Sequence, residues 1–277
     1  MTEKLLLAGV IGDPIAHSRS PCLHGHWLRR YGIKGHYVPL HVTRDRLHDT
    51  LRLLPELGFK GLNVTIPHKE AVLQVADSVT DRAALIGAAN TLTYTARGTL
   101  QADNTDGVGF LENIRQYTPG WSASEGPALV LGAGGAARAV VSALLNDGCP
   151  QVVLVNRTRA RAEALRDHFG ARVQVLDWTQ IPDVLEDAAL LVNSTSLGMT
   201  GKQPLHIDLE RLTSQTIVND IVYAPLRTEL LQAAAAQGCH TVDGLGMLLH
   251  QALPGFERWF GIRPEVDDTL RAAVLEK

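Results

Sequence analysis

At 277 residues, 45% of them hydrophobic and 20% charged, the chain is long enough for two domains or one large one. Its composition excludes a disordered chain. The formal net charge of -3 supplies no basic field, so nucleic acid and anionic membrane have no electrostatic support as partners and a small molecule fits better. Cys22, Cys149 and Cys239 are widely spaced and outside any CxxC pattern, so they read as buried free thiols, not as a disulfide framework or a zinc site. The apolar run before Gly12 and Asp13 is only about eight residues, too short for a membrane span and without a signal-cleavage pattern. A reducing, cytoplasmic location is the expectation.

Hydrophobic periodicity predicts a strand over Leu5–Ile11, a helix over Pro21–Tyr31, a strand over His36–Leu40 and a helix over Arg44–Leu57. A strand over Gly61–Ile66, helical pieces over Lys69–Ala76 and Asp81–Ile86, and strands over Asn90–Thr95 and Thr99–Ala102 follow, the last two joined by the turn at Arg97-Gly98. Asp106–Tyr117 reads as a helix. Thr118–Pro127 is rich in Gly, Pro and Ser and is the best candidate for a domain boundary. Beyond it, strands over Ala128–Leu131, Val152–Val155, Val173–Leu176, Leu190–Asn193 and Ile217–Val222 alternate with helices over Ala136–Asn146, Arg159–Phe169 and Thr228–Gln237. That alternation predicts a doubly wound parallel sheet. From Gly244 onward the pattern is helical and is expected to pack back on the first domain.

After the apolar run Ala128–Leu131, Gly132-Ala133-Gly134-Gly135-Ala136-Ala137 gives G-x-G-x-x-A between a strand and a helix, the context that a dinucleotide fingerprint requires. The glycines permit a tight turn and close approach to a pyrophosphate, and the helix start offers free N–H groups. A Gly-rich turn without a ligand is the alternative. At the end of the next strand, where an NAD site places an acid, stand Asn156, Arg157, Thr158, Arg159 and Arg161. Guanidinium groups suit a phosphate dianion, so NADP is preferred over NAD, with Arg157 carrying most of the argument. The alternative for Arg159 and Arg161 is the solvated face of the following helix.

The first half holds several polar loops. In His17-Ser18-Arg19-Ser20-Pro21, Ser18 and Ser20 lie near a helix start, suited to a carboxylate or to ordinary N-capping. Lys69 closes Asn63-Val-Thr65-Ile-Pro-His-Lys69 at the end of a strand, where it could also be a surface residue. Asn90-Thr91 and Asp103-Asn-Thr-Asp106-Gly107 set amides and carboxylates among small residues. The eleven histidines show no HExxH or other dense ligand spacing, so no metal is expected.

Nine segments in order resemble the shikimate dehydrogenase family: HSxSP at His17–Pro21, NVTxPxK at Asn63–Lys69, GAxNT at Gly87–Thr91, DNTDG at Asp103–Gly107, GAGGAARA at Gly132–Ala139, NRT at Asn156–Thr158, NSTSLGM at Asn193–Met199, VYxP at Val222–Pro225 and DGLGMLLHQA at Asp243–Ala252. The resemblance implies an α/β substrate domain over residues 1–107, completed by helices over 245–277, and a Rossmann-type NADP-binding domain over 108–244. It implies NADPH-dependent, reversible reduction of 3-dehydroshikimate to shikimate in aromatic amino-acid (chorismate) biosynthesis. Lys69 and Asp106 would form the catalytic pair. Ser18 and Ser20 would take the substrate carboxylate, while Thr65, Asn90 and Gln251 read ring hydroxyls and Tyr223 lies near substrate and nicotinamide. NADP would meet Gly132, Ala133, Gly134, Gly135, Ala136, Asn156, Arg157, Thr158 and Arg161, with the 193–199 segment, Ile221 and Gly244 bordering the nicotinamide and Asp81 reaching the cofactor side. A homodimer is compatible with this reading.

The chain departs from the family pattern at Gly25, where Asn is common, and at Glu229, where Pro is common. A quinate/shikimate dehydrogenase with broader cofactor use shares these motifs, and a non-catalytic NADP-binding module would share the fold. The basic run over Asn156–Arg161 speaks against an NAD preference, and the presence of both Lys69 and Asp106 speaks against a pure binder.

Overall fold

The computed structural model describes residues 5–276; residues 1–4 and 277 of the expected substrate domain lie outside them. Along the chain run β1 (Leu6–Gly12), α1 (Ser20–Arg30), β2 (Gly35–His41), α2 (Leu47–Leu53), β3 (Phe59–Val64), α3 (Val72–Val75), β4 (Ser78–Val79), α4 (Asp81–Ile86), β5 (Thr91–Tyr94) and β6 (Leu100–Asp103). Then come α5 (Asp106–Tyr117), β7 (Ala128–Leu131), α6 (Gly135–Asn146), β8 (Val152–Val155), α7 (Arg159–Phe169), β9 (Val173–Leu176), α8 (Pro182–Leu185), β10 (Leu190–Asn193), β11 (Ile217–Asp220), α9 (Glu229–Ala236), β12 (His240–Val242), α10 (Leu245–His250), α11 (Leu253–Phe260) and α12 (Asp268–Leu275).

The chain divides into two compact units, the first running to Thr105 and resuming at Leu249, the second spanning Asp106–Leu248. The first is built on a six-stranded mixed sheet in the order β2-β1-β3-β5-β6-β4, in which β5 runs antiparallel to both β3 and β6. Ile11, Leu51, Leu62, Val64, Val72, Leu92 and Leu100 form one buried cluster. The chain's last helices complete this unit, as α11 packs on β1, β3 and β5. Trp259 donates from Nε1 to the Leu92 carbonyl at 3.0 Å. His24 belongs to the same packing: it is fully buried and stacks on Tyr37 with ring centroids 3.9 Å apart. Burial holds its imidazole neutral by pushing the pKa down to about 3.

The helix expected over Arg44–Leu57 is shorter than its periodicity suggested. A 3-10 turn covers Arg44–Arg46 and α2 ends at Leu53. Pro55 has no N–H to continue the helix. The helix expected over Lys69–Ala76 shrinks to the single turn α3.

The second unit is a six-stranded, all-parallel sheet in the order β12-β11-β10-β7-β8-β9. Counted from β7, this is the 3-2-1-4-5-6 arrangement of dinucleotide-binding folds. Side chains alternate along β7: Ala128 and Val130 join a cluster with Val140, Val141 and Leu144 of α6, whereas Leu129 and Leu131 join one with Leu230, Leu231 and Ala234 of α9. Burial on both faces is why these strands read as continuous apolar runs. Phe110 and Ile114 bind α5 into the α6 side of this core, so the Thr118–Pro127 stretch lies inside the second unit. No helix of the described residues is long and apolar enough to cross a membrane.

Candidate active site

In the first unit, the carboxyl ends of β1 and β3 deliver the polar loops. Thr65 N donates to Ile11 O at 3.0 Å and Asp13 N to Ile66 O at 3.1 Å, fixing the two loops side by side. The Thr65–Lys69 loop is tied down further by His68, which is fully buried and holds its Nε2 2.6 Å from Val42 O. Ala89 N donates to the Lys69 carbonyl at 2.8 Å, so the half-buried lysine is anchored through its backbone to the Gly87–Thr91 loop.

Asn90 is the centre of this half-site. Its Oδ1 accepts from Thr105 N at 2.8 Å and from the Thr91 hydroxyl at 3.0 Å, and its Nδ2 donates to Gln251 Oε1 at 3.0 Å. The oxygen is thus held within this network. The Thr105 hydroxyl donates to Gln251 O at 2.8 Å. Asn63 donates to Asn90 O at 3.2 Å and accepts from the Tyr37 hydroxyl at 2.7 Å. Asn63, Thr105 and Tyr37 are thus supporting residues that sequence reasoning did not single out, although the first two lie within its motifs.

Asp103 anchors the segment leading to Asp106. Fully buried, it accepts from the Thr80 hydroxyl at 2.8 Å, from Arg82 Nε at 2.6 Å and from Arg258 Nη2 at 2.7 Å. Burial opposes ionisation, but the two guanidinium groups and the hydroxyl outweigh it and hold the carboxyl far below the usual range. The N-cap position of α1 is Arg19, with no side-chain capping bond, and Ser18 Oγ accepts from Ser20 N, the first N–H of the helix, at 3.3 Å.

In the second unit, the Gly132–Gly135 turn leaves β7 at the point where the strand order reverses, beside the segment that follows β10. Gly132 has φ +110° and a Cβ there would lie 2.7 Å from Ser194 Oγ, so only glycine fits. A Cβ on Gly134 or Gly135 would meet nothing within 4 Å. The backbone is bare on its open side at the start of the twelve-residue α6, whose N-cap Gly134 has no capping side chain. These are the requirements for seating a pyrophosphate.

At the end of β8 no acid is present. Arg159 is committed to Glu163 at 2.9 Å and Asp177 at 2.8 Å. Arg157 and Arg161 are exposed and form no ion pair among the described residues. Asn156 Nδ2 donates to Thr158 O at 2.8 Å, bracing the turn. The donor set fits a 2′-phosphate and offers no acceptor carboxylate for a 2′-hydroxyl.

Ile221 and Gly244, distant in sequence, come together, since a Cβ on Gly244 would lie 2.2 Å from the Ile221 carbonyl oxygen. Beside them is a hub missed from sequence. The buried Asp220 accepts from Thr228 Oγ1 at 2.7 Å, Asn193 Nδ2 at 3.0 Å and Val222 N at 3.0 Å, linking the 193–199 segment, the Tyr223 loop and the start of α9. Its burial raises the carboxyl to about 6. Among the expected residues, Ser18, Ser20, Thr65, Lys69, Asn90 and Gln251 lie in the first unit. Asp106 (buried at the start of α5), Tyr223, Ile221, Gly244 and the 132–136 and 156–161 groups lie in the second. Asp81, expected on the cofactor side, stands exposed on the first turn of α4 in the first unit. No group of three or more His, Cys, Asp or Glu among the described residues could hold a metal.

A mixed-sheet unit rich in buried hydroxyl and amide side chains, followed by a parallel sheet with a glycine turn of the dinucleotide-binding kind, defines the class of two-domain, nicotinamide-nucleotide-linked dehydrogenases. Three family models match in succession: the shikimate dehydrogenase substrate binding domain over residues 10–92, shikimate/quinate 5-dehydrogenase over 116–207, and the shikimate 5′-dehydrogenase C-terminal domain over 244–274. The shikimate dehydrogenase (NADP(+)) of Jannaschia sp. (strain CCS1) is 70% identical over 99% of this chain and 98% of its own length. Among solved structures, shikimate 5-dehydrogenase from Thermus thermophilus, in complex with NADP(H) and shikimate, aligns with TM-score 0.87 and 36% identity over 98% of this chain and 99% of that one. Quinate dehydrogenase from Corynebacterium glutamicum, in complex with NAD, aligns with TM-score 0.91 and 33% identity over 99% and 100%. The chain belongs to the shikimate dehydrogenase (NADP(+)) family.

Proposed function

We propose that the protein reversibly reduces 3-dehydroshikimate to shikimate with NADPH, a step of aromatic amino-acid biosynthesis. The observation that carries this reading is the exposed Arg157 and Arg161 where an NAD site has an acid, in a chain that matches NADP-linked relatives over its full length. Substrate binding is assigned to residues 1–107 with 245–277, and NADP binding to 108–244. A cytoplasmic setting belongs to the same reading and is in keeping with the free thiols of Cys22, Cys149 and Cys239. So does a homodimeric state, which sedimentation mass would check.

When bound, the nicotinamide supplies a hydride to the C3 carbonyl carbon. The chain's own residues do the rest. Ser18 and Ser20 receive the carboxylate, and Thr65, Asn90 and Gln251 engage ring hydroxyls so that one face of the carbonyl is presented. Lys69 gives a proton to the carbonyl oxygen as negative charge develops there, and takes it back in the reverse direction. Asp106 hydrogen-bonds the same hydroxyl. Asp81, Ile221, Tyr223 and Gly244 contribute at the nicotinamide end, with Gly132–Ala136 and with Asn156, Arg157, Thr158 and Arg161 holding the phosphates.

Substituting Lys69→Ala tests this assignment. The variant is expected to bind shikimate and NADPH within a few-fold of wild type while losing about 100-fold or more in kcat, the usual scale of positioned acid–base catalysis. Near-normal turnover with both ligands bound would remove the lysine from the mechanism. A second reading, quinate oxidation with NAD, draws on the quinate dehydrogenase match but has to accommodate the two arginines.

A further inference from the structure

The middle position of the Ser18-Arg19-Ser20-Pro21 loop is occupied by an arginine whose side chain does not cap the helix behind it. Arg19 is the N-cap of α1, where Ser, Thr, Asn and Asp are favoured because they accept from the first helical N–H groups. Arginine accepts nothing, and its charge opposes the positive end of the helix dipole. The Arg19 side chain instead reaches across to the carboxyl end of α12, donating to Val274 O at 2.6 Å and Leu275 O at 3.5 Å. Cys22, one turn into α1, donates to Ala273 O at 3.2 Å. The remaining carbonyl of the last turn, Ala272 O, accepts from Glu276 N at 3.1 Å. Three of the four carbonyls that a helix leaves unsatisfied at its end are therefore served by the serine loop and the first turn behind it.

The other end of α12 is fastened as well. Its N-cap Asp267 pairs with Arg30, and Glu265 O accepts from Trp27 Nε1 at 3.0 Å. The helix thus lies antiparallel along α1 with both ends tied, and Leu270 and Val274 are buried. A rod held at its far end gives Arg19 a fixed point to grip. The loop between β1 and α1 is correspondingly fixed, with Ser20 N donating to Ser18 Oγ at 3.3 Å and Ser18 N to Ile15 O at 3.0 Å.

We propose that Arg19 is a positioning residue that, by capping the carboxyl end of α12, fixes the Ser18–Ser20 loop in the geometry that receives the substrate's carboxylate. The proposal rests on the reading of Ser18 and Ser20 given above. Its signature is a defect confined to the carboxylate, which a general loss of stability would not produce.

Arg19→Ala, Arg19→Lys and Ser18→Ala are compared with wild type using shikimate, its methyl ester and NADP+. Loss of a charge-assisted hydrogen bond predicts that R19A raises the shikimate KM about tenfold or more. The ester's KM is expected to rise less than about threefold and that of NADP+ to stay within about twofold, so the preference for acid over ester narrows. R19K, which keeps a cationic donor, should recover part of that preference, and it decides the matter if R19A does not fold. Equal losses for acid and ester, a parallel loss for NADP+, or no change overturns the proposal. If S18A narrows the acid preference and the Arg19 variants do not, Arg19 alone is wrongly assigned. If S18A leaves the preference unchanged, the serine assignment fails and the proposal fails with it.

Discussion

Asn90 and Gln251, 161 positions apart, meet through a 3.0 Å hydrogen bond from Nδ2 to Oε1 in the first unit. Both side chains are buried, and the Gln251 carbonyl is itself held by the Thr105 hydroxyl. The Asn90 side chain is thereby joined to the helical C-terminal segment.

Gln251→Ala should weaken shikimate binding and leave Asn90 short of one partner. The shikimate KM is expected to rise about tenfold, in line with roughly 1–3 kcal/mol for a buried polar group left unsatisfied. NADPH affinity should be unchanged. Steady-state kinetics with each substrate varied in turn checks both, and a selective NADPH defect would place Gln251 elsewhere.

Arg157→Ala is expected to cost about 1–3 kcal/mol in NADPH binding and little in NADH binding, because only the former carries the 2′-phosphate. Arg159→Ala provides the contrast: its guanidinium is already paired with Glu163 and Asp177, so its removal should leave the NADPH/NADH ratio near wild type. Fluorescence titration with both cofactors measures the ratio. Equal losses for the two cofactors in R157A would turn that arginine away from the phosphate.

Asp220 leads to a pH dependence of defined sign. Burial raises its folded pKa to about 6 from an ordinary value of 3.8, so between these values the folded state holds a proton that the unfolded state has released. Stability from this group is fully present below the unfolded value and is lost as pH rises through the folded one, by up to about 3 kcal/mol. Relative to Asp220→Asn, wild type should therefore lose ground between about pH 4 and pH 7. Urea denaturation of both proteins across that range tests it; a difference that does not vary with pH, or that grows in wild type's favour, contradicts it.

Legibility from sequence followed locality. The strands β7, β8, β9 and β10 and the helices α4, α5 and α7 are read to the residue, because burial on one or two faces writes an apolar pattern into neighbouring positions. The two-residue β4 and three-residue β12, at sheet edges, are too short to show a period, and His240 in β12 is exposed. Turn residues mark Thr118–Pro127 as a loop but do not say whether it separates units or lies within one. The site divides in the same manner. Motif residues such as Asn90, Gly132 and Arg157 are recognisable in place. Their supports are not, because Asp103 with Arg258 and Arg19 with Val274 join positions 155 and 255 apart that share no local pattern.

The most direct test is the specificity constant for shikimate and for quinate, each with NADP+ and with NAD+, followed by nicotinamide absorbance on one preparation of the protein. The predicted result is that shikimate with NADP+ gives the highest kcat/KM of the four combinations. A higher value for quinate with NAD+ would contradict both the substrate and the role given to Arg157 and Arg161.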